Sequence, residues 1–247
     1  DVFYNVNRHI NPTNICVLSC KFCSFSRKPG QPGAYAYSMD EMLEKAKAAL
    51  DQGATEVHMV GGLHPRWNFD HYLDMIRTMK TTYPQLHIKA FTAVEIDWFV
   101  KKTRSSITEV LNRLVEAGLG SLPGGGAEIF HPEIREVICD TKVSAEKWLE
   151  THEIAHSLGL KSNATMLYGH IETVEHRIDH MRRLRELQDK TKGFNAFIPL
   201  SFQPHENDMG IDKFTFGIDD LRTVAEARLY LDNFKNIKSY WIMSGQD

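Results

Sequence analysis

Residues 38–62 read SMDEMLEKAKAALDQGATEVHMVGG, and this stretch holds one full unit of the pattern from which the fold is built. Ser38 followed three positions later by Glu41 is a capping box, which predicts a helix starting at Met39. Apolar residues at 39, 42, 43, 46, 49 and 50 lay a stripe along one face of that helix, and Gly53 stops it. TEVHMVGG then reads as a short buried strand, because apolar and β-branched residues run together until two glycines open a loop.

The same grammar recurs along the chain. A helix over 69–82 leads to LHIKAFTAVEI, and a helix from Ser106 to Ala117, capped by Ser106 with Glu109 and stopped by Gly118, leads to GSLPGGGAEIF. Helices over about 144–158, 173–190 and 218–232 precede KSNATMLYGHIE, FNAFIPLSFQP and IKSYWI in turn. Helix, stop and strand in alternation predict a parallel sheet of βαβ units. Six or seven such units imply an α/β fold, a full or partial (β/α) barrel.

In such barrels chemistry gathers at the C-terminal ends of the strands. Here those ends carry Cys16 to Cys23, GGLHP, FTAVE, PGGGAE, YGHIE and SFQP. No linker rich in Pro, Gly or Ser divides the sequence, so a single domain over residues 1–247 is expected. The chain opens on Asp1 without Met and ends in SGQD, which suggests a longer protein whose terminal segments lie outside this sequence.

A 42% hydrophobic share with 25% charged residues is that of a folded globular chain. The net charge of -3 supplies no basic field to draw nucleic acid or an anionic membrane, so a small-molecule partner is expected instead. No apolar run has the length of a membrane span and the first residues lack a signal-peptide layout, so the cytoplasm is the expected compartment.

Three of the four cysteines fall within eight residues, as Cys16-Val-Leu-Ser-Cys20-Lys-Phe-Cys23. A disulfide scaffold would spread its cysteines along the chain, so a metal site is the better reading. Thiolates are the usual ligands of iron–sulfur clusters, and a cubane normally takes four of them. A structural zinc site would also want a fourth ligand, which Cys139 or a histidine could supply. Cys139, alone in its region, reads instead as an inert buried thiol.

The CxxxCxxC spacing, with aromatic Phe22 before the last cysteine, resembles the radical S-adenosylmethionine (SAM) superfamily. HINPTNICVLSCKFCSF, GGLHP, KAFTAVEI, LPGGGAEIF and NATMLYGHIET, in that order, are similar to the aminofutalosine synthase family of menaquinone biosynthesis. The resemblance implies a radical SAM barrel with a [4Fe–4S] cluster on Cys16, Cys20 and Cys23. SAM would chelate the iron left without a protein ligand and be consumed as a substrate. Its adenosyl radical would add to the enol ether of 3-[(1-carboxyvinyl)oxy]benzoate, and the products would be aminofutalosine, methionine and bicarbonate. An electron donor such as flavodoxin or ferredoxin would serve the cluster. The cyclic dehypoxanthinyl futalosine synthase and deazaflavin-synthesis enzymes share GGLHP and stay open as alternatives. So, from another class, does a non-enzymatic iron–sulfur or zinc protein.

The resemblance also implies SAM contacts. The Gly61–Gly62 backbone would meet the methionyl ammonium, with Leu63 standing where many members have Glu. Phe22 belongs to the cofactor loop, Glu128 would accept from the ribose hydroxyls, and Arg135 would pair with the SAM carboxylate. Thr165 and Leu167 would lie on the strand beside adenine, Thr165 replacing a glycine of the family pattern. An acceptor with two carboxylates wants cationic or hydrogen-bonding groups, and His64, Arg66, His170 and Gln203 fall at predicted strand ends. Thr92, Glu95 and Ser201 could orient substrate or cap helices.

Overall fold

The computed structural model describes residues 4–240. Its contacts gather into two compact units, one formed by residues 4–18 and 25–123, the other by 19–24 and 124–240.

The first unit alternates β1 (Asn7–Ile10), α1 (Met39–Asp51), β2 (Glu56–Met59), α2 (Phe69–Thr82), β3 (His87–Ala90), α3 (Ala93–Thr103), α4 (Ile107–Ala117) and β4 (Ser121–Leu122). Its strands are parallel, with Asn7 beside Glu56 and Glu56 beside His87, and Lys89 opposite Ser121. α1 begins where the capping box places it, with both Ser38 and Glu41 bonds formed. Because side chains alternate along a strand, Val57, Met59, Ile88 and Ala90 share one face, and all four are buried. Aromatic rings join α2 to the end of β3 and to α3. Tyr72 lies 5.7 Å from Phe91, and Phe99 lies 5.0 Å from Phe69.

The second unit holds α5 (Pro132–Cys139), α6 (Ala145–Ser157), β5 (Lys161–Tyr168), α7 (Val174–Thr191), β6 (Phe194–Ser201), α8 (Gly217–Tyr230) and β7 (Asn236–Ile237). β5 pairs with β6 along its length and β6 with β7, all parallel. Its core gathers Trp148, Phe130, Phe197 and Phe234, each with less than 2% of its surface exposed.

Two helices escaped the sequence reading. FTAVEI looks like the continuation of β3, yet the strand stops at Ala90 and Phe91 turns into the left-handed region at φ 61°. Thr92 then caps α3, with Glu95 completing a capping box. α5 was hidden because it is short, although Pro132 in its first turn is a start signal. The last predicted strand, IKSYWI, overlaps β7 only at Ile237, and positions 241–242 lie outside the described residues. No described helix is long and apolar enough to cross a membrane.

Candidate active site

In the first unit the segment after β1 is held by both side chains and backbone, the Thr13 hydroxyl donating to Tyr35 O at 2.6 Å and the Asn14 amide to Gly33 O at 2.9 Å. Gly62 N–H donates to the Thr13 carbonyl at 2.8 Å and Val17 N–H to that of Leu63 at 3.1 Å. Cys16 N–H donates to Arg27 O at 3.0 Å, and the Lys28 ammonium caps the carbonyls of Cys16 and Leu18. A Cβ on Gly61 would stand 2.9 Å from Thr13 O, and one on Gly62 would run into the Ile15 carbonyl. The two glycines thus have a task the sequence did not reveal: they let the strand-two loop press against the backbone that leads into Cys16. Glu95 joins the same assembly, accepting from Gly61 N–H at 3.3 Å as well as capping α3 with Thr92.

His64 and Arg66 follow on this loop. The His64 ring is buried, stacks on Trp67 at 4.5 Å, and accepts from Arg66 N–H at Nδ1. Burial, helped by the nearby Arg66 charge, lowers its pKa and keeps it neutral. Arg66 is exposed and lines a cavity of about 290 Å³ with Lys102 and Arg113.

The second unit brings together more of the candidate residues. Its cysteine segment rests on the end of α5 and the turn after it, with Lys21 N–H donating to Ile138 O at 3.0 Å and Ser19 N–H to Thr141 Oγ1 at 3.3 Å. Cys23 N–H donates to Cys20 O at 3.1 Å, which closes a tight turn around Phe22. The ammonium of Lys142 sits 4.7 Å from the centre of the Phe22 ring and forms a buried ion pair with Glu128. Lys142 is the residue that sequence reading missed. The available signal was that a carboxylate at a buried strand end needs a cation nearby, and Lys142 lies in the segment that follows.

Glu128 itself is held in the left-handed region, at φ 45°, an unfavourable conformation for a residue with a side chain. Its carbonyl accepts from Leu167 N–H at 2.9 Å. Burial alone would raise its pKa, but the Lys142 ammonium, with smaller help from Arg135 and His170, brings it below the usual carboxylate range. Burial likewise pushes the Cys20 thiol up to about 12, with Lys142 pulling the other way. Cys139 is buried beside them, its thiol raised to about 11 chiefly by desolvation.

Arg135 and His170 both bond to neighbouring backbone. Arg135, expected to pair with the SAM carboxylate, is buried, and its guanidinium already donates to the carbonyls of Gly126, Ala127, Ile129 and Val143. Four carbonyls take the N–H groups of both terminal nitrogens, so the guanidinium braces the Glu128 loop. His170, expected to meet substrate, is fully enclosed. Its Nε2 donates to Leu167 O at 3.1 Å while Nδ1 lies 3.3 Å from Glu172, so the ring braces the turn after β5. Thr165 and Leu167 are buried on β5, and the Thr165 hydroxyl donates to Gly124 O at 2.6 Å. Gln203 is half-buried after β6 and reaches Ser201 Oγ at 3.5 Å.

Cys16, Cys20 and Cys23 are free and half-buried. Among the described residues no three metal-binding side chains converge on a single ion position, and a cubane requires no such convergence because each thiolate takes a different iron. Free thiols with a buried ammonium beside Cys20 suit a cluster whose bonded thiolates carry negative charge.

Parallel strand–helix units with a CxxxCxxC loop after the first strand define an α/β protein of the iron–sulfur, SAM-cleaving class. The radical SAM superfamily pattern matches residues 10–184, and the chain belongs to that superfamily, whose members are enzymes using a [4Fe–4S] cluster and SAM. It is 52% identical to the aminodeoxyfutalosine synthase of Thermus thermophilus over 94% of this chain, and spans 63% of that relative's length. It is 41% identical to the 5-amino-6-(D-ribitylamino)uracil–L-tyrosine 4-hydroxyphenyl transferase of Methanopyrus kandleri, over 99% of this chain and 68% of the relative. The FeFe-hydrogenase maturase HydG from Carboxydothermus hydrogenoformans superposes with a TM-score of 0.73 at 19% identity, covering 96% of this chain and 54% of its own. That likeness bears out the α/β fold of the radical SAM type, a full or partial (β/α) barrel.

Proposed function

We propose that the chain carries the radical chemistry of an aminofutalosine synthase, joining the 5'-deoxyadenosyl group of SAM to 3-[(1-carboxyvinyl)oxy]benzoate and releasing methionine and bicarbonate. The observation that supports this reading most is the 52% identity to the Thermus synthase, against 41% to the Methanopyrus transferase. Bound to Cys16, Cys20 and Cys23, the cluster would supply the single electron that cleaves SAM to methionine and a 5'-deoxyadenosyl radical.

The protein's residues bind and orient. The Gly61–Gly62 backbone, Phe22, Glu128 and the β5 edge at Thr165 and Leu167 are assigned to SAM, and Arg135 fixes the loop from which Glu128 projects. Neutral His64, with Arg66 and Gln203, is assigned to the substrate's carboxylates as hydrogen-bond donors and counter-charge. The electron comes from a small donor such as flavodoxin or ferredoxin.

The test is anaerobic reconstitution of the full-length protein with iron and sulfide, followed by dithionite, SAM and the enol-ether benzoate, with products read by mass spectrometry. An adenosine-containing adduct is expected. A second reading, transfer of the tyrosine side chain to 5-amino-6-(D-ribitylamino)uracil, is favoured by the Methanopyrus relative's 41% identity over 99% of this chain. If tyrosine and that uracil gave the coupled product while the benzoate gave only 5'-deoxyadenosine, the synthase reading would be overturned.

A further inference from the structure

We propose that Lys142 is a positioning residue whose buried charge, opposed by that of Glu128, sets the reduction potential of the cluster held at Cys20 and Cys23. The inference rests on the assignment of the cluster to these cysteines. It goes beyond it by naming the groups that tune the bound cluster.

The geometry is compact. Residues 19–24 are fastened to Ile138 at the end of α5 and to Thr141 just after it, and Lys142 is the next residue. Its ammonium covers the face of Phe22, which stands between Cys20 and Cys23 in the chain. Its ion-pair partner Glu128 projects from a loop fixed by the four carbonyl bonds of Arg135. Side-chain exposures of 15% for Lys142 and 8% for Glu128 leave little water to screen either charge.

Reduction adds one negative charge to an iron–sulfur cluster. A fixed cation nearby favours the reduced state and a fixed anion disfavours it, and both effects strengthen with burial. The pair as it stands is close to neutral, so removing either member leaves the other's charge exposed to the cluster. Lys142→Met leaves the carboxylate, and the potential falls. Glu128→Gln leaves the ammonium, and the potential rises. Lys142→Arg keeps the charge and stays near the wild-type value.

The measurement is a dithionite titration of reconstituted full-length protein, followed by electron paramagnetic resonance, with iron counted per chain. Shifts of opposite sign for the two variants are expected. A merely structural role would move both the same way or neither, and either result would overturn the proposal. If Lys142→Met takes up no iron, the Glu128→Gln and Lys142→Arg arms decide alone: an unchanged or lower potential in Glu128→Gln sinks it. Wild-type protein that binds no iron would instead overturn the cluster assignment itself.

Discussion

A side chain on Gly62 would run into the carbonyl of Ile15, the residue immediately before Cys16. The Gly62 N–H also donates to Thr13 O, so contact and hydrogen bond together fix the backbone that leads into the first cysteine. Gly62→Ala must push this segment away, at a cost of about 1–3 kcal/mol for overpacking a tight contact. Gly61→Ala meets Thr13 O at the looser distance of 2.9 Å and is expected to do less. Thermal melts and iron content after reconstitution check the order. A Gly62→Ala protein that melts and loads iron like wild type would remove this role from the glycine pair.

Arg135 separates a structural role from a ligand role. Replacing it by Met leaves carbonyls in the 126–129 loop and at Val143 without donors in a dry interior, and each lost partner costs about 1–3 kcal/mol. Arg135→Lys keeps charge but cannot fork to carbonyls on both sides. Both variants are expected to unfold at lower urea concentration than wild type. Unchanged stability with weakened SAM binding would return the guanidinium to the SAM carboxylate.

The starts of α1 and α4 were readable to the residue because capping boxes are local chemistry, and the glycine stops placed their ends to within two residues. α3 was not, because FTAVEI is apolar enough to pass for strand, and only the left-handed turn at Phe91 redirects the chain. The CxxxCxxC spacing was legible in the sequence. The Lys142–Glu128 pair was not, since fourteen positions separate the two residues and the intervening α5 that brings them together is short. The backbone bonds of Arg135 and His170 were not legible either, for a shared reason: a polar side chain near a strand end looks the same in sequence whether it faces a ligand or satisfies its own backbone.

Acid should destabilise the second unit through its buried imidazoles. Thr191 donates its hydroxyl proton to Leu187 O, so it accepts from His156 Nδ1–H. His156 Nε2 then accepts from Ser162, and Ser162 accepts from His152 Nδ1–H. Both rings of this relay are neutral, and burial pushes His156 down to about 4 and, by the same cause, His180 to about 3. In the unfolded chain these rings bind protons near pH 6.5. Below that pH the unfolded state gains protons that the native state refuses, so stability falls between about pH 6.5 and 4 and is level above about pH 7.5. Urea midpoints at pH 7.5, 6 and 5 check this, and a midpoint independent of pH over that range would contradict it.

Thr165, read in the sequence as replacing a glycine of the family pattern, commits its hydroxyl to the neighbouring loop. It donates to Gly124 O at 2.6 Å, in a place so close-packed that a Cβ on Gly124 would lie 2.8 Å from Asn163 O. The strand's own carbonyl at Thr165 accepts from His180 Nε2 at 2.9 Å, so loop, strand and α7 meet at one residue. Thr165→Val keeps the shape and removes the donor, which leaves a buried carbonyl unpaired at a cost of about 1–3 kcal/mol. Thr165→Ser restores the bond and should recover most of that loss. Since the hydroxyl is already committed to Gly124, SAM affinity should follow the same order only as far as the loop moves. A Thr165→Val protein as stable as wild type but weak in SAM binding would mean that the hydroxyl serves the ligand directly.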